Sequence, residues 1–316
     1  MTNRIKSAQN ALLSWYKKSG RHDLPWRNTQ DIYHVYLSEI MLQQTQVNRV
    51  LEEYYPQFLK RFPTLQTLAF ASLDDVLASW SGLGYYSRAR NLHKTAQLNP
   101  KGLPDELSAL LKLPGIGKYT ASAICSFGYN QNVPVVDTNI ARVLQRVFAI
   151  QKRDEKILWQ KAESLLNTKA SRAHNLALMD LGSLVCLPQN PKCEFCPLNE
   201  MCQGKVNPEF YAKTKKTRYE AMELFYGVFI EDDRIALVNA QGNMYKGMLE
   251  LPNIDPIEEW HIGNFKHSYT KYRLNVHLYA LDEAPFNAVW VDIRAFDDAP
   301  ISSLTKKAKK FFYKIS

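Results

Sequence analysis

The sequence predicts a mainly α-helical protein that ends in a small α+β domain. Three observations carry this expectation. Apolar residues recur at spacings of three and four through the first two-thirds of the chain, the period of amphipathic helices. After a polar, Lys-rich segment the texture changes to short runs of Val, Ile, Leu, Tyr and Phe with turn residues between them, the pattern of strands. No apolar run approaches the roughly 18 residues of a membrane span.

The helical patterns lie at Ile5–Lys18, Ile32–Tyr55, Leu73–Trp80, Ala89–Gln97, Pro104–Leu111, Tyr119–Phe127, Thr138–Phe148, Glu155–Leu166 and Ala173–Cys186. Asp31, Ser72 and Pro104 mark helix starts. Gly, Pro or Asn separates most of the patterns. Lys205–Thr217, with Asn207-Pro208, reads as a linker. Strands are expected at Met222–Ile230, Arg234–Asn239, Arg273–Leu281 and Ala288–Val291. Leu304–Ile315 reads as a basic helix whose Lys306, Lys307, Lys309 and Lys310 form a solvated face.

The chain has 316 residues, 40 Lys+Arg and 31 Asp+Glu, a formal net charge of +9. Residues 1–204 hold 24 of the basic and 16 of the acidic groups, so the excess sits almost wholly in the helical part. A polyanion-binding surface is expected there. The start, Met1–Gln9, lacks the apolar core of a signal peptide, which points to a soluble intracellular protein with no membrane role. Four of the five cysteines read Cys186-x6-Cys193-x2-Cys196-x5-Cys202. Four thiolates on one loop suit a tetrahedral zinc or an iron–sulfur cluster. A single C-x2-C knuckle favours the cluster over zinc. Cys125, in an apolar stretch, reads as core.

Four further strings carry chemistry. In Ser38–Gln46, Glu39 shares a helix face with Val35, Leu42 and Gln43. A carboxyl in such company is partly desolvated, which raises its pKa and suits a general acid. Gln43, Gln44 and Gln46 are costly on a core helix without partners, and suit contacts to base edges or a vacated stack. Leu113-Pro114-Gly115-Ile116-Gly117-Lys118-Tyr119-Thr120-Ala121 reads as a helix–hairpin–helix. Its glycines supply positive φ, and the N–H groups of its second helix offer an anion site for a phosphate. Asp137, before Thr138-Asn139-Ile140, reads on its own as an N-cap, a role compatible with the sharper one of a carboxylate facing an oxocarbenium-like transition state. Gly82–Arg90 puts two glycines before Tyr85 and Tyr86 and two arginines, Arg88 and Arg90, after them. That suits a wedge with phosphate clamps, and spacing does not separate the two tyrosines.

Together these strings resemble the adenine DNA glycosylase (MutY) family of the endonuclease III superfamily. The resemblance runs from Leu24-Pro25-Trp26-Arg27 to Cys202, and more weakly over the tail. It implies a helix–hairpin–helix glycosylase fold followed by a NUDIX-like domain. Residues 1–21 with 133–204 would form a cluster-bearing domain, 22–132 a six-helix domain, 205–220 a linker and 221–316 the tail domain. The active site would lie in the cleft between the two helical domains. The reaction implied is excision of adenine mispaired with 8-oxoguanine or guanine in duplex DNA. Glu39 would protonate adenine N7, Asp137 would stabilise the sugar cation and Asn139 would position this machinery. The four cysteines would hold a structural 4Fe–4S cluster. Gln44 and Tyr85 match intercalating positions. Gln43, Thr45, Arg88, Gly115, Gly117 and Lys118 fall within the DNA-contacting strings.

Tyr119 stands where bifunctional relatives carry a catalytic lysine. A tyrosine forms no Schiff base, so a monofunctional glycosylase is expected. Thr138 replaces the glycine of the family's Asp-Gly-Asn string. Tyr269-Thr270-Lys271 replaces the Phe-Ser-His loop that touches 8-oxoguanine. The tail lacks the acidic pattern of NUDIX hydrolases, so no pyrophosphatase activity is expected. Its Gly247-Met248-Leu249-Glu250-Leu251-Pro252 resembles a string of that fold. The resemblance further implies a cytoplasmic monomer associated with the nucleoid. The rival expectations are a thymine or other mismatch glycosylase on the same scaffold, a non-catalytic DNA-damage sensor and a zinc-bound DNA-binding module.

Overall fold

The computed structural model describes residues 2–211, 218–242 and 244–314. The chain divides into two compact units, each made of two separate stretches: residues 1–47 with 101–215, and residues 48–100 with 216–316.

The first unit is helical. Thr2–Ser19, Ile32–Met41, Thr138–Val147, Glu155–Leu165 and Ser171–Leu184 are its long helices. Their apolar stripes meet in one core that includes Leu12, Val35, Phe127, Leu144, Leu158 and Leu181. Asp137 caps the Thr138–Val147 helix, its Oδ1 accepting from the Ile140 N–H at 2.6 Å. Gly182 lets this helix start sit against the Ser171–Leu184 helix, since a Cβ there would lie 2.7 Å from Asn139 Cβ. Asp180 on the latter helix has a fully buried side chain. It accepts from Arg21 Nε at 2.8 Å and from Arg27 Nη1 at 2.6 Å, which ties the first helix and the Pro25–Arg27 turn to it.

The expected Ile32–Tyr55 helix is interrupted. The helix capped by Asp31 ends at Met41, a turn follows, and helix resumes at Val47. Gln44 takes a left-handed backbone, φ +59°, in that turn. No Gly or Pro marks the break, so the periodicity runs through it unseen. The Pro104–Leu111 pattern yields helix only at Leu107–Leu110. Of the expected linker, Pro208–Tyr211 forms a short helical turn that accepts Arg146 Nε at Pro208 O, 2.8 Å. Residues 212–217 of that segment lie outside the described residues.

The second unit joins helices to a pair of small sheets. Val47–Arg49, a π-helical turn at Val50–Tyr54 and Tyr55–Arg61 form one continuous helical run. Leu65–Phe70, Leu73–Ser79 and Ser87–Leu98 follow. Leu65–Phe70 falls outside the helical patterns of the sequence, although Thr64 and Thr67 form a reciprocal cap at its start. Phe58 meets the buried Trp80 edge-on at 5.8 Å.

The strands are β1 Glu220–Val228, β2 Ile230–Glu231, β3 Arg234–Asn239, β4 Leu249–Glu250, β5 His261–Tyr269, β6 Tyr272–Ala280 and β7 Val289–Asp292. One sheet has the order β1-β6-β5, with β6 parallel to β1 and antiparallel to β5. In the other, β3 pairs antiparallel with β2, β4 and β7. β5 falls outside the expected strands. Polar residues interrupt its apolar pattern, and only its pairing with β6 makes it a strand. The β5–β6 hairpin turns on Thr270-Lys271, with Thr270 at φ +51°. The expected basic helix is α-helical at Ser303–Ala308 and tightens to a 3-10 helix over Lys309–Lys314; Ile315 lies outside the described residues. Among the described residues no helix is long and apolar enough to cross a membrane.

Candidate active site

A cavity of about 220 Å³ in the first unit is lined by Glu39, Tyr119, Asp137 and Asn139, together with Arg27 and Arg172. Its geometry follows from three helices. Glu39 sits on the buried face of Ile32–Met41, 6% exposed. Tyr119 opens the Lys118–Ala123 helix that follows the glycine hairpin. Asp137 and Asn139 stand at the capped start of Thr138–Val147.

Tyr119 Oη donates to Glu39 Oε2 at 2.5 Å. Burial pushes the Glu39 carboxyl up to about 7, the charge of Asp137 adds to the rise, and the Tyr119 bond and Arg27 oppose it. A carboxyl in that range holds its proton in a substantial fraction of molecules at neutral pH. Burial and the facing Glu39 carboxylate keep the Tyr119 phenol well above its ordinary value. Burial also raises Asp137, but the Ile140 N–H, the Asn139 side chain and Arg142 all favour its ionised form. Asn139 Nδ2 donates to Asp137 Oδ2 at 3.1 Å. Arg142 Nη2 in turn donates to Asn139 Oδ1 at 2.9 Å, and its Nε to the Cys186 carbonyl at 2.8 Å.

The flanking residues sort themselves by exposure. Gln43 is partly buried, with Nε2 3.4 Å from Thr120 Oγ1. Thr45 is partly buried, while Gln44 is exposed on its left-handed turn. Gly115 has the expected positive φ, +72°. Gly117 does not: its φ is −88°, and a Cβ there would meet nothing within 4 Å. Its value is an open face rather than a special dihedral. Lys118 places Nζ 4.1 Å from the centre of the Trp159 ring, a contact the sequence did not signal.

In the second unit, Gly82, Gly84 and Tyr85 all have positive φ. Tyr86 is buried and Tyr85 is partly exposed, so the structure separates the two tyrosines. Arg88 does not suit the expected phosphate clamp. It is 8% exposed, and Nη2 donates to the Leu83 and Gly84 carbonyls, each at 3.0 Å. It shapes the loop from inside. Tyr269, Thr270 and Lys271 form the hairpin tip of β5 and β6, and Lys271 Nζ pairs with Glu220 at 2.6 Å.

Cys186, Cys193, Cys196 and Cys202 line one small cavity in the first unit with Val143 and Arg146. Burial and the neighbouring thiols push Cys196 up to about 12 and raise Cys202 and Cys193, so thiolates there require a cation. Arg146, 1% exposed, directs Nη1 at Cys186 Sγ from 3.3 Å. Among the described residues no group of three or more His, Cys, Asp or Glu is arranged to hold a metal ion. Four soft thiol donors around one cavity are the donor set of a soft metal group. Cys125 is buried, as expected of a core residue.

A family model for HhH-GPD superfamily base excision DNA repair proteins matches residues 37–177, the stretch that carries Glu39, the hairpin and Asp137. Fold and site therefore define a helix–hairpin–helix protein of base excision repair. Two relatives refine this. An adenine DNA glycosylase of Buchnera aphidicola subsp. Baizongia pistaciae is 43% identical over 235 residues, which cover 69% of this chain and 67% of the relative. One from subsp. Schizaphis graminum is 31% identical over 338 aligned positions, covering 95% and 97%. The chain belongs to the adenine DNA glycosylase family. Among solved structures, that of a thermostable thymine-DNA glycosylase is similar, with a TM-score of 0.60 and 28% identity over 65% of this chain and 98% of that one.

Proposed function

We propose that this adenine DNA glycosylase excises adenine from mispairs with 8-oxoguanine or guanine in duplex DNA, as a monofunctional enzyme that leaves the strand intact. The observation that carries the chemistry is the pairing of a buried acid and a held carboxylate in one cavity. Glu39, near 7, donates its proton to N7 of a flipped adenine and makes the base a neutral leaving group. The glycosidic electron pair leaves with the base. Asp137, whose ionised form the Ile140 N–H and Asn139 favour against the rise from burial, faces the sugar cation that remains. Water adds at the anomeric carbon and returns a proton. Tyr119 orients Glu39 and supplies no amine, so no Schiff base forms and the backbone is not cleaved.

The glycine hairpin with Lys118, the exposed Gln44 and the Tyr85 loop would carry the DNA contacts, and Tyr269-Thr270 would face the base opposite adenine. Cys186, Cys193, Cys196 and Cys202 would hold a 4Fe–4S cluster. Bound there, such a group supplies a structural crosslink and charge beside Arg146, and no redox step in the excision. Likeness to a thymine-DNA glycosylase makes thymine the second reading. Glu39 weighs against it, because a raised acid suits protonation of a purine N7. The test measures alkali-induced strand cleavage of duplexes carrying adenine or thymine opposite 8-oxoguanine and guanine. Adenine release alone is expected, and thymine release with adenine retained would establish the second reading.

A further inference from the structure

We propose that Tyr245 is a positioning residue that ties the β5–β6 hairpin tip to the loop carrying Tyr85. Contact with the base opposite adenine and insertion of the wedge would then be coupled. The inference rests on the reading that Tyr269-Thr270 faces the opposing base and that Tyr85 enters the stack. Both segments belong to the same compact unit.

Tyr245 is 2% exposed. Its ring meets the Tyr269 ring edge-on at 5.0 Å, and on another side lies 6.4 Å from Tyr86, the neighbour of Tyr85. Its hydroxyl pairs with His267 Nε2 at 3.0 Å. His267 and Tyr269 lie two residues apart on β5 and so share a face of that strand. One tyrosine therefore holds the last turn of the strand by a ring contact and a hydrogen bond. At the far end of the wedge loop, Arg90 Nη2 donates to the carbonyl of Lys246. Tyr245-Lys246 thus grips the wedge loop at Tyr86 and at Arg90, and the hairpin at its tip.

The two segments it joins carry comparable backbone tension. Tyr85 and Thr270 each take φ of +51°, a conformation that non-glycine residues hold only when their surroundings impose it. A close-packed aromatic contact transmits displacement because it has no soft space to absorb it. A hairpin tip shifted by an ill-fitting base would therefore disturb Tyr245 and, through Tyr86, the seat of Tyr85.

The experiment compares single-turnover adenine release from two duplexes that differ only in 8-oxoguanine or guanine opposite adenine. A 2-aminopurine beside the adenine reports wedge insertion. The full chain is compared with Tyr245→Phe, which keeps the rings but loses the His267 bond, and with Tyr245→Leu, which loses both. The unmutated chain should favour 8-oxoguanine. Tyr245→Leu should shrink that preference about tenfold, the common size of a coupling between sites, with Tyr245→Phe in between. The fluorescence step should shrink in parallel on the 8-oxoguanine duplex. If Tyr245→Leu does not fold, Arg90→Gln cuts the loop from Lys246 and is read in the same way. A folded variant that keeps the full preference overturns the coupling. An unmutated chain without any preference overturns the reading beneath it instead.

Discussion

Tyr119 Oη lies 2.5 Å from Glu39 Oε2, although 80 residues separate the two in the chain. The contact fixes the orientation of a buried carboxyl and places a phenol where an amine would open a different reaction.

Glu39 should act in its protonated form. Its carboxyl is pushed up to about 7, chiefly by burial. The protonated fraction therefore falls as pH rises through that value, and adenine release should drop about tenfold per pH unit well above it. Tyr119→Phe removes a bond that lowers Glu39, so the falling limb should move to higher pH. Single-turnover rates across pH on one duplex measure both effects.

The same shift makes a stability prediction. Glu39 has a value near 7 folded against an ordinary value of 4.5. Between those limits the folded state binds more protons than the unfolded one. Stability is therefore present at low pH and is lost as pH rises through about 7, at a full cost of roughly 3 kcal/mol. Glu39→Gln should abolish adenine release yet raise the melting temperature at pH 8. That gain should vanish towards pH 4.5. Equal melting curves at both pH values would contradict the assignment of a buried, raised acid.

Asp180 holds Arg21 and Arg27, both of which line the cavity. Burial raises its carboxyl, but bonds to Arg27 and Arg21 outweigh burial and leave it below the usual value. Its contribution is thus present at neutral pH and is lost as pH falls through its lowered value. Asp180→Ala leaves Arg27 buried and uncompensated, and should cost about 3–5 kcal/mol in denaturant unfolding.

Tyr119→Lys places an amine beside Glu39, where the resemblance puts the lyase nucleophile. Borohydride should then trap a covalent complex with the substrate, and the unmutated chain should give none. Strong trapping by the unmutated chain would show that another amine serves, and would end the monofunctional reading.

Removal of one thiol tests the cluster. The purified chain should be brown and carry about four irons. Cys202→Ser should lower iron content and stability together. A colourless protein with one zinc per chain would replace the cluster with a single tetrahedral ion.

The legible part of the fold was the part set by local pattern. Asp31 and Ser72 cap helices as their residue types require, and the strand at Arg234–Asn239 has the expected bounds. What escaped depends on distant partners or on backbone that no residue type announces. The break after Met41 turns on Gln44, a residue with no special claim to a left-handed backbone. β5 becomes a strand through its pairing with β6. In the site, Glu39, Tyr119, Asp137 and Asn139 were legible one by one because each sits in a distinctive string. Asp180, 153 residues from Arg27, was not. Arg88 illustrates the reverse error: an arginine beside tyrosines suggests phosphate, but burial turns its donors to the carbonyls of its own loop.

Acid-assisted excision of adenine in the Glu39–Asp137 cavity is decided by alkali-induced strand cleavage after incubation with a duplex carrying adenine opposite 8-oxoguanine, using the unmutated chain and Glu39→Gln. Cleavage at the adenine is expected for the unmutated chain and none for the variant. Adenine release by Glu39→Gln at the unmutated rate, or none by either chain, would contradict it.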